Sequence, residues 1–159
     1  MATQKFTPAS TIKLANGAQI PQVQLGLYQL SGREIAASVR SALDVGYRGF
    51  DCAQWYYNEK EAGNALRDYL NSDENASGLE REDIWYTTKL ANNSTSYDSV
   101  RRSIKKSVQA SGLGYVDLFL LHSPLGGKDA RIASWRALED AIDDGEVRMG
   151  GVSNFGSRH

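Results

Sequence analysis

Val116-Asp117-Leu118-Phe119-Leu120-Leu121 is a nearly continuous apolar run. Such a run suits a strand buried on both faces, the usual condition in a parallel sheet covered by helices. Its flanks carry the helices that such a sheet needs. Upstream, Val100, Ile104 and Val108 recur at helical spacing within Asp98 to Ser111, and Gly112 and Gly114 end that segment. Downstream, Ala130 to Asp143 reads as a helix with Ile132, Trp135, Leu138 and Ile142 facing inward, stopped by Gly145. Met149 to Val152 is then the next strand.

The same alternation extends toward the N-terminus. Ile84 to Thr88 is rich in strand formers. It follows a helix over Glu59 to Leu70, with Ala62, Ala65, Leu66 and Tyr69 on one face, and a polar loop over Asn71 to Gly78. Tyr47 to Asp51 is another short strand. Before it, Ile35, Val39 and Leu43 mark a helix face between Ser31 as start signal and Gly46 as stop. Val23 to Leu27 opens the series. Ahead of that strand, Asn16-Gly17 lies between Ile12-Lys13-Leu14 and Ala18-Gln19-Ile20, which predicts a hairpin on a type I′ turn.

Strand alternating with helix argues for right-handed βαβ units and a parallel sheet. The strand centres repeat every 31 residues or so, roughly one βαβ unit of ≈ 30 residues. Three more units would need about 95 residues and give about 254, the size of a complete (β/α)8 barrel. The expectation is therefore an α/β fold: a partial (β/α)8 TIM barrel of about five units in eight, preceded by a small β-hairpin. Residues 1–159 are expected to form one domain, an incomplete barrel.

Composition excludes several classes of function. The chain has 18 Lys+Arg against 19 Asp+Glu, a formal net charge of -1, which supplies no field for nucleic acid or an anionic membrane. The local basic run, Arg101-Arg102 with Lys105-Lys106, reads as a solvated helix face. There is one cysteine, Cys52, so an intrachain disulfide is excluded, and the residue is expected to pack as a small buried hydrophobe. There is no apolar run of about 18 residues to span a membrane, and Met1 to Phe6 lacks an apolar signal core. A cytoplasmic setting is expected.

Reactive groups in such folds gather at the C-terminal ends of the strands. Those ends carry Asp51, Lys89, His122 and Ser153-Asn154, and Tyr56 and Tyr57 follow just after Asp51. An acid, an amine, an imidazole and a phenol thus converge on one rim. A phenol ordinarily titrates near 10, too high for acid–base work at neutral pH, and a nearby ammonium favours its phenolate. A carboxylate beside the lysine keeps it charged and fixed, and an imidazole can orient or polarise a carbonyl oxygen. The set suits proton transfer to a developing alkoxide. Each member also has a structural explanation: Asp51 as a helix cap, Lys89 as a surface lysine, His122 as a structural histidine before a proline turn. His159 is read as incidental. Asp51, Cys52 and His122 match no usual metal-ligand spacing, and Ser153 lacks the Gly-x-Ser-x-Gly setting of a hydrolase.

Four stretches carry a family resemblance. Phe50-Asp51-Cys52-Ala53-Gln54-Trp55-Tyr56-Tyr57-Asn58-Glu59 resembles the aldo-keto reductase signature, an Asp followed five residues later by Tyr and then by Asn-Glu. Thr87-Thr88-Lys89-Leu90 is similar to that family's lysine motif, and Leu120-Leu121-His122-Ser123-Pro124 to its histidine motif. Gly145 to Phe155 resembles its third signature. The resemblance implies reduction of an aldehyde or ketone, a small-molecule carbonyl substrate, with NADPH. By that resemblance Tyr56 is the general acid, Lys89 and Asp51 lower its pKa, and His122 orients the carbonyl. Gly26, Asp51, Ser153 and Asn154 would bind the cofactor, the last two at the nicotinamide carboxamide. Tyr57 is left as a packing residue, and Trp55 and Trp85 as pocket or core aromatics.

Two departures from the family stand out. Gln24 and Leu27 occupy positions where a glycine and a threonine are usual in the turn near the first strand. The family's sixth to eighth strands, with the segments that grip the pyrophosphate and the adenosine 2′-phosphate, have no counterpart within 159 residues. The resemblance therefore implies truncation after the fifth strand. Three readings remain open: a fragment of an ordinary reductase, a short form using Asp51, Tyr56, Lys89 and His122 for cofactor-independent acid–base chemistry of the isomerase, dehydratase or cyclase type, or a non-catalytic protein. An open barrel edge invites self-association into a homo-oligomer.

Overall fold

The computed structural model describes residues 5–159, so Met1 to Gln4, part of the segment read as lacking a signal core, lie outside the described residues. Two short strands, β1 (Thr11–Lys13) and β2 (Gln19–Pro21), pair antiparallel. Five more, β3 (Gln24–Gly26), β4 (Gly49–Asp51), β5 (Trp85–Leu90), β6 (Leu118–Leu121) and β7 (Gly150–Val152), form one sheet in sequential order, every pair parallel. Helices α1 (Gly32–Asp44), α2 (Glu59–Leu70), α3 (Tyr97–Ser111) and α4 (Gly127–Asp143) connect them, each packed on the next. A doubly wound sheet reverses its strand order partway. Unbroken sequential order with successive helices is instead the winding of a (β/α)8 barrel, and this chain forms five strands of that arrangement, opened between β3 and β7.

The helix side of the sheet is the core. Phe50, Tyr86 and Phe119 are fully buried there, against Ile35 and Val39 of α1, Ala62 and Leu66 of α2, and Val100 and Ile104 of α3. Helices α2 and α3 approach closely because Gly63 has no side chain: a Cβ there would sit 1.8 Å from the carbonyl oxygen of Ser111. On the other side, the indole of Trp85 donates to Thr87 Oγ1 (3.1 Å), and that hydroxyl donates to Gln24 Oε1 (2.9 Å). The Gln24 side chain fills space that Gly49 leaves open, since a Cβ on Gly49 would come within 2.5 Å of Gln24 Cγ. The unusual Gln24 thus has a partner glycine on β4 and a hydrogen bond to β5.

The structure corrects four expectations. The hairpin forms without a type I′ turn, because Gly17 alone has positive φ (+89°) at its tip. The Gly17 amide bonds to Leu14 O, that of Leu14 to Ala18 O, and Asn16 Oδ1 accepts from the Ala18 amide, as in a type I turn closed by a left-handed glycine. Helix α4 buries Ala130, Ser134, Ala137, Leu138 and Ala141, whereas Ile132 is exposed and Trp135 half-buried. Small residues let α4 lie close to the sheet, and the larger apolar ones flank β7, at the edge of the sheet. Tyr57, expected to pack, is 87% exposed with φ of 56°, at the left-handed end of a short turn. Arg101 does not belong to a solvated face: it bonds Asp144 (2.7 Å) and Glu146 (2.9 Å) across from α3 to the end of α4. Among the described residues no helix is long and apolar enough to cross a membrane.

Candidate active site

The C-terminal strand ends bring four predicted residues together. Lys89 comes from β5, on the face away from the helices, and its ammonium is buried. All three of its N–H donors are used: Nζ donates to Asp51 Oδ2 (2.7 Å), to the carbonyl oxygen of Cys52 (2.9 Å) and to Tyr56 Oη (3.2 Å). Asp51 is the last residue of β4, so β4 and β5, paired in register, deliver the carboxylate and the amine side by side. Asp51 therefore pairs with Lys89 and does not cap α2, whose N-cap is Asn58. Lys89 is no surface lysine.

Tyr56 closes a 3-10 turn (Gln54–Tyr56) that sequence patterning did not predict. The ring of Tyr28 lies 4.9 Å from that of Tyr56, and His122 meets Tyr56 edge-on at 6.0 Å. Trp55 lies over the His122 ring at 4.6 Å and is partly exposed at the rim. Trp85 is a buried aromatic.

Partial burial, and secondarily the Lys89 ammonium, push the His122 imidazole below its usual 6.5, with Asp51 pulling the other way. At neutral pH the ring is therefore uncharged. Its Nδ1 is buried with no hydrogen-bond partner among the described residues. Because protonation is harder in the folded protein, the unfolded chain binds more protons as the pH falls below 6.5, and stability decreases with it. An NMR pH titration of the His122 ring is expected to place its midpoint below 6.5. A midpoint at or above 6.5 would contradict this.

The predicted cofactor residues border the same rim. Gly26 is the register partner of Asp51, and the space its Cβ would take is open. Asn154, with φ of 61°, donates from Nδ2 to His122 O (2.8 Å) and to Ser153 Oγ (3.1 Å). That ties the end of β7 to the end of β6. Among the described residues no group of His, Cys, Asp and Glu is arranged to hold a metal.

The sequence reading missed the groups that hold this assembly in place. Asn58 is buried and donates to Leu27 O (2.8 Å) and Leu30 O (2.9 Å), fixing the loop that carries Tyr28, while its Oδ1 accepts from the Cys52 thiol (3.1 Å). Burial pushes that thiol up to about 11, so Cys52 stays protonated and inert. Glu59 accepts from Thr88 Oγ1 (2.6 Å) and Ser107 Oγ (3.2 Å), and burial raises its pKa above the ordinary value. Asn58 and Glu59 were visible as the tail of the first motif. Nothing in that motif indicated which loops they tie.

Comparison with known proteins places this geometry in a family. An oxidoreductase of Schizosaccharomyces pombe without an assigned substrate is 47% identical over 150 residues, covering 94% of this chain and 52% of the relative. The glyoxal reductase of Bacillus subtilis is 37% identical, covering 94% of this chain and 51% of its own length. A crystal structure of an aldo/keto reductase from Brucella melitensis superposes with a TM-score of 0.81 at 39% identity, over 93% of this chain and 55% of that one. The chain thus spans about half the length of the proteins it matches. The family model described as the aldo/keto reductase family matches residues 22–159, from β3 through the whole rim, and on that match the chain belongs to the aldo/keto reductase family.

Proposed function

We propose that this chain carries the acid–base apparatus of a carbonyl reductase that reduces an aldehyde or ketone with NADPH. The observation that carries the reading is the Lys89 ammonium, held by Asp51 and Cys52 O and donating its remaining hydrogen bond to Tyr56 Oη. Because the phenol oxygen accepts from Nζ, its own O–H is free to point at a substrate oxygen. As the carbonyl oxygen gains negative charge, Tyr56 donates that proton, and the ammonium 3.2 Å away stabilises the phenolate left behind. His122 supports the same oxygen. With Nδ1 buried and unpartnered, Nε2 is the ring nitrogen left to face a substrate oxygen, and in the neutral ring it serves as donor when it carries the proton. The uncharged ring avoids a second full cation beside Lys89.

The residues present fit the nicotinamide end of the cofactor. Asp51 uses Oδ2 for Lys89, and among the described residues its Oδ1 takes no hydrogen bond, which leaves an acceptor for a ribose hydroxyl. Ser153 and Asn154 offer a hydroxyl and an amide for a carboxamide, and Gly26 leaves room for close approach of a ring. When bound, the reduced nicotinamide supplies the hydride. The glyoxal reductase of Bacillus subtilis supports small aldehydes as the first substrates to try.

The test is to incubate the chain with NADPH and a panel of small aldehydes and ketones, and to follow loss of the reduced-nicotinamide absorbance. Aldehyde-dependent oxidation of NADPH is the expected result. Consumption of a carbonyl compound without NADPH oxidation would replace the reading with cofactor-independent acid–base chemistry. No reaction with any carbonyl compound would remove catalysis from this chain.

A further inference from the structure

Gln54 has no place in the chemistry above, yet its side-chain amide makes more contacts than any catalytic group. Nε2 donates toward Ser103 O (3.2 Å), Ser103 Oγ (3.0 Å) and Ser107 Oγ (2.9 Å). Oε1 accepts from the Ala91 amide (2.8 Å) and from Ser103 Oγ (3.3 Å). Ser103 and Ser107 lie one turn apart on α3 and present their hydroxyls on one face. Ala91 directly follows β5.

The placement of these bonds along the chain matters. Gln54 lies two residues before Tyr56, in the same 3-10 turn, and Ala91 lies two residues after Lys89. The amide therefore joins the segment carrying the phenol to the segment carrying the ammonium, and both to α3. Within the turn the backbone closes with Tyr56 N to Ala53 O (3.0 Å) and Tyr57 N to Gln54 O (3.2 Å), and the Tyr56 ring packs on Tyr28 and His122, so it is the Gln54 amide that ties the turn by side-chain hydrogen bonds to Ala91 and α3. Ser107 passes the connection on by donating to Glu59 Oε2 (3.2 Å), and Glu59 accepts from Thr88, next to Lys89.

We propose that Gln54 is a positioning residue that sets the separation of Tyr56 Oη and Lys89 Nζ by bolting the tyrosine turn to the end of β5 and to α3. The proposal rests on the reading of Tyr56 and Lys89 as the proton-donating pair. Its structural part can be tested without turnover.

The variant is Gln54→Met, which keeps the length and removes every polar contact. The companion is Gln54→Glu, which keeps an acceptor for the Ala91 amide and the Ser103 hydroxyl but loses the donor to Ser103 O and Ser107 Oγ. The first readout is the rate at which Lys89 is reductively methylated, measured by mass spectrometry with exposed Lys60 as internal reference, and with a thermal melt in parallel. Lys89 is expected to react severalfold faster in Gln54→Met, with Lys60 unchanged and the fold intact, because the cage around its ammonium opens locally. Gln54→Glu, which retains the bonds from the Ala91 amide and the Ser103 hydroxyl, is expected to react at a rate between those of the parent and Gln54→Met. The second readout is the NADPH assay: Gln54→Met lowers kcat about tenfold with KM unchanged, the pattern of a misplaced catalytic group. An unchanged Lys89 rate in a folded Gln54→Met overturns the proposal. So does failure of that variant to fold, which would make Gln54 a residue of the fold. A changed Lys89 rate in a protein without reductase activity would uphold the bolt and reject the proposed function.

Discussion

Asp117→Ala is expected to lower the stability of the folded chain by about 3–5 kcal/mol, the range for removing one partner from a buried ion pair. Asp117 is fully buried within the apolar run that opens β6. Its Oδ2 accepts from Arg81 (2.7 Å) and from the Tyr86 amide (3.0 Å), and its Oδ1 from Arg148 (3.0 Å). One carboxylate thus joins the turn before β5, the second residue of β5 and the approach to β7. Arg81 is itself mostly buried over the Tyr115 ring, and it donates to the carbonyls of Leu113, Ile84 and Tyr115. Alanine would strand that guanidinium and leave the Tyr86 amide without an acceptor in the core, where an unmade hydrogen bond is costly.

A short series separates the contributions. Asp117→Asn keeps one oxygen for Arg81 and the Tyr86 amide, so it is expected to cost less than alanine. Arg148→Ala removes a half-exposed partner and is expected to cost no more than about 1 kcal/mol. Urea unfolding at constant slope measures all three, with the midpoint shift carrying the result. An alanine variant as stable as the parent would show that Arg81 finds another partner. These groups sit at the N-terminal ends of the strands, opposite the rim, where fixed residues of this fold serve stability.

Tyr56→Phe carries the largest expected effect on turnover, a fall in kcat of about 10²–10⁴-fold, the usual worth of a positioned proton donor. The substitution is narrow. Phenylalanine keeps the ring against Tyr28 and edge-on to His122, and removes the hydroxyl alone. Lys89 retains its bonds to Asp51 and Cys52 O, so the ammonium stays fixed and charged. KM is expected to change little, because the substrate loses an interaction that strengthens in the transition state. Loss of one partly exposed hydrogen bond is expected to change stability by about 1 kcal/mol or less. Steady-state kinetics with NADPH and the best aldehyde of the panel, alongside a melt, measures both. A variant that keeps its kcat would move the proton donor elsewhere, with His122 next in line.

Much of this protein is legible in its order of residues. Glu59 to Leu70 was predicted with its observed limits, because its apolar face and flanking loop agree. Asp51, Lys89 and His122 became candidates by one rule, polar residues at the ends of parallel strands, and the resemblance to the family's first motif singled out Tyr56 from the adjacent Tyr57. In the structure Tyr56 Oη accepts from Lys89, and Tyr57 is exposed to solvent. The inward face of α4 was read correctly at Leu138 and Ile142 and wrongly at Ile132, which is exposed, because periodicity admits two adjacent stripes. Packing chose the small residues, leaving Ile132 and Trp135 beside the sheet edge.

What the sequence by itself determined is the unit and its repetition. Hydrophobic period, glycine stops and strand spacing are local, so they set strand, helix and the rim on which the reactive residues fall. What tertiary structure alone decided is which polar groups are joined across that repeat. Gln54 reaches 49 residues along the chain to Ser103, Asp117 reaches back 31 residues to Tyr86, and Asn58 31 residues to Leu27. No local pattern encodes such pairs, because a buried amide or carboxylate finds its partners only once strand register and helix contacts bring distant segments within about 3 Å of it. The candidate site residues could be placed on one rim by reading along the chain; the bonds that hold them there could not.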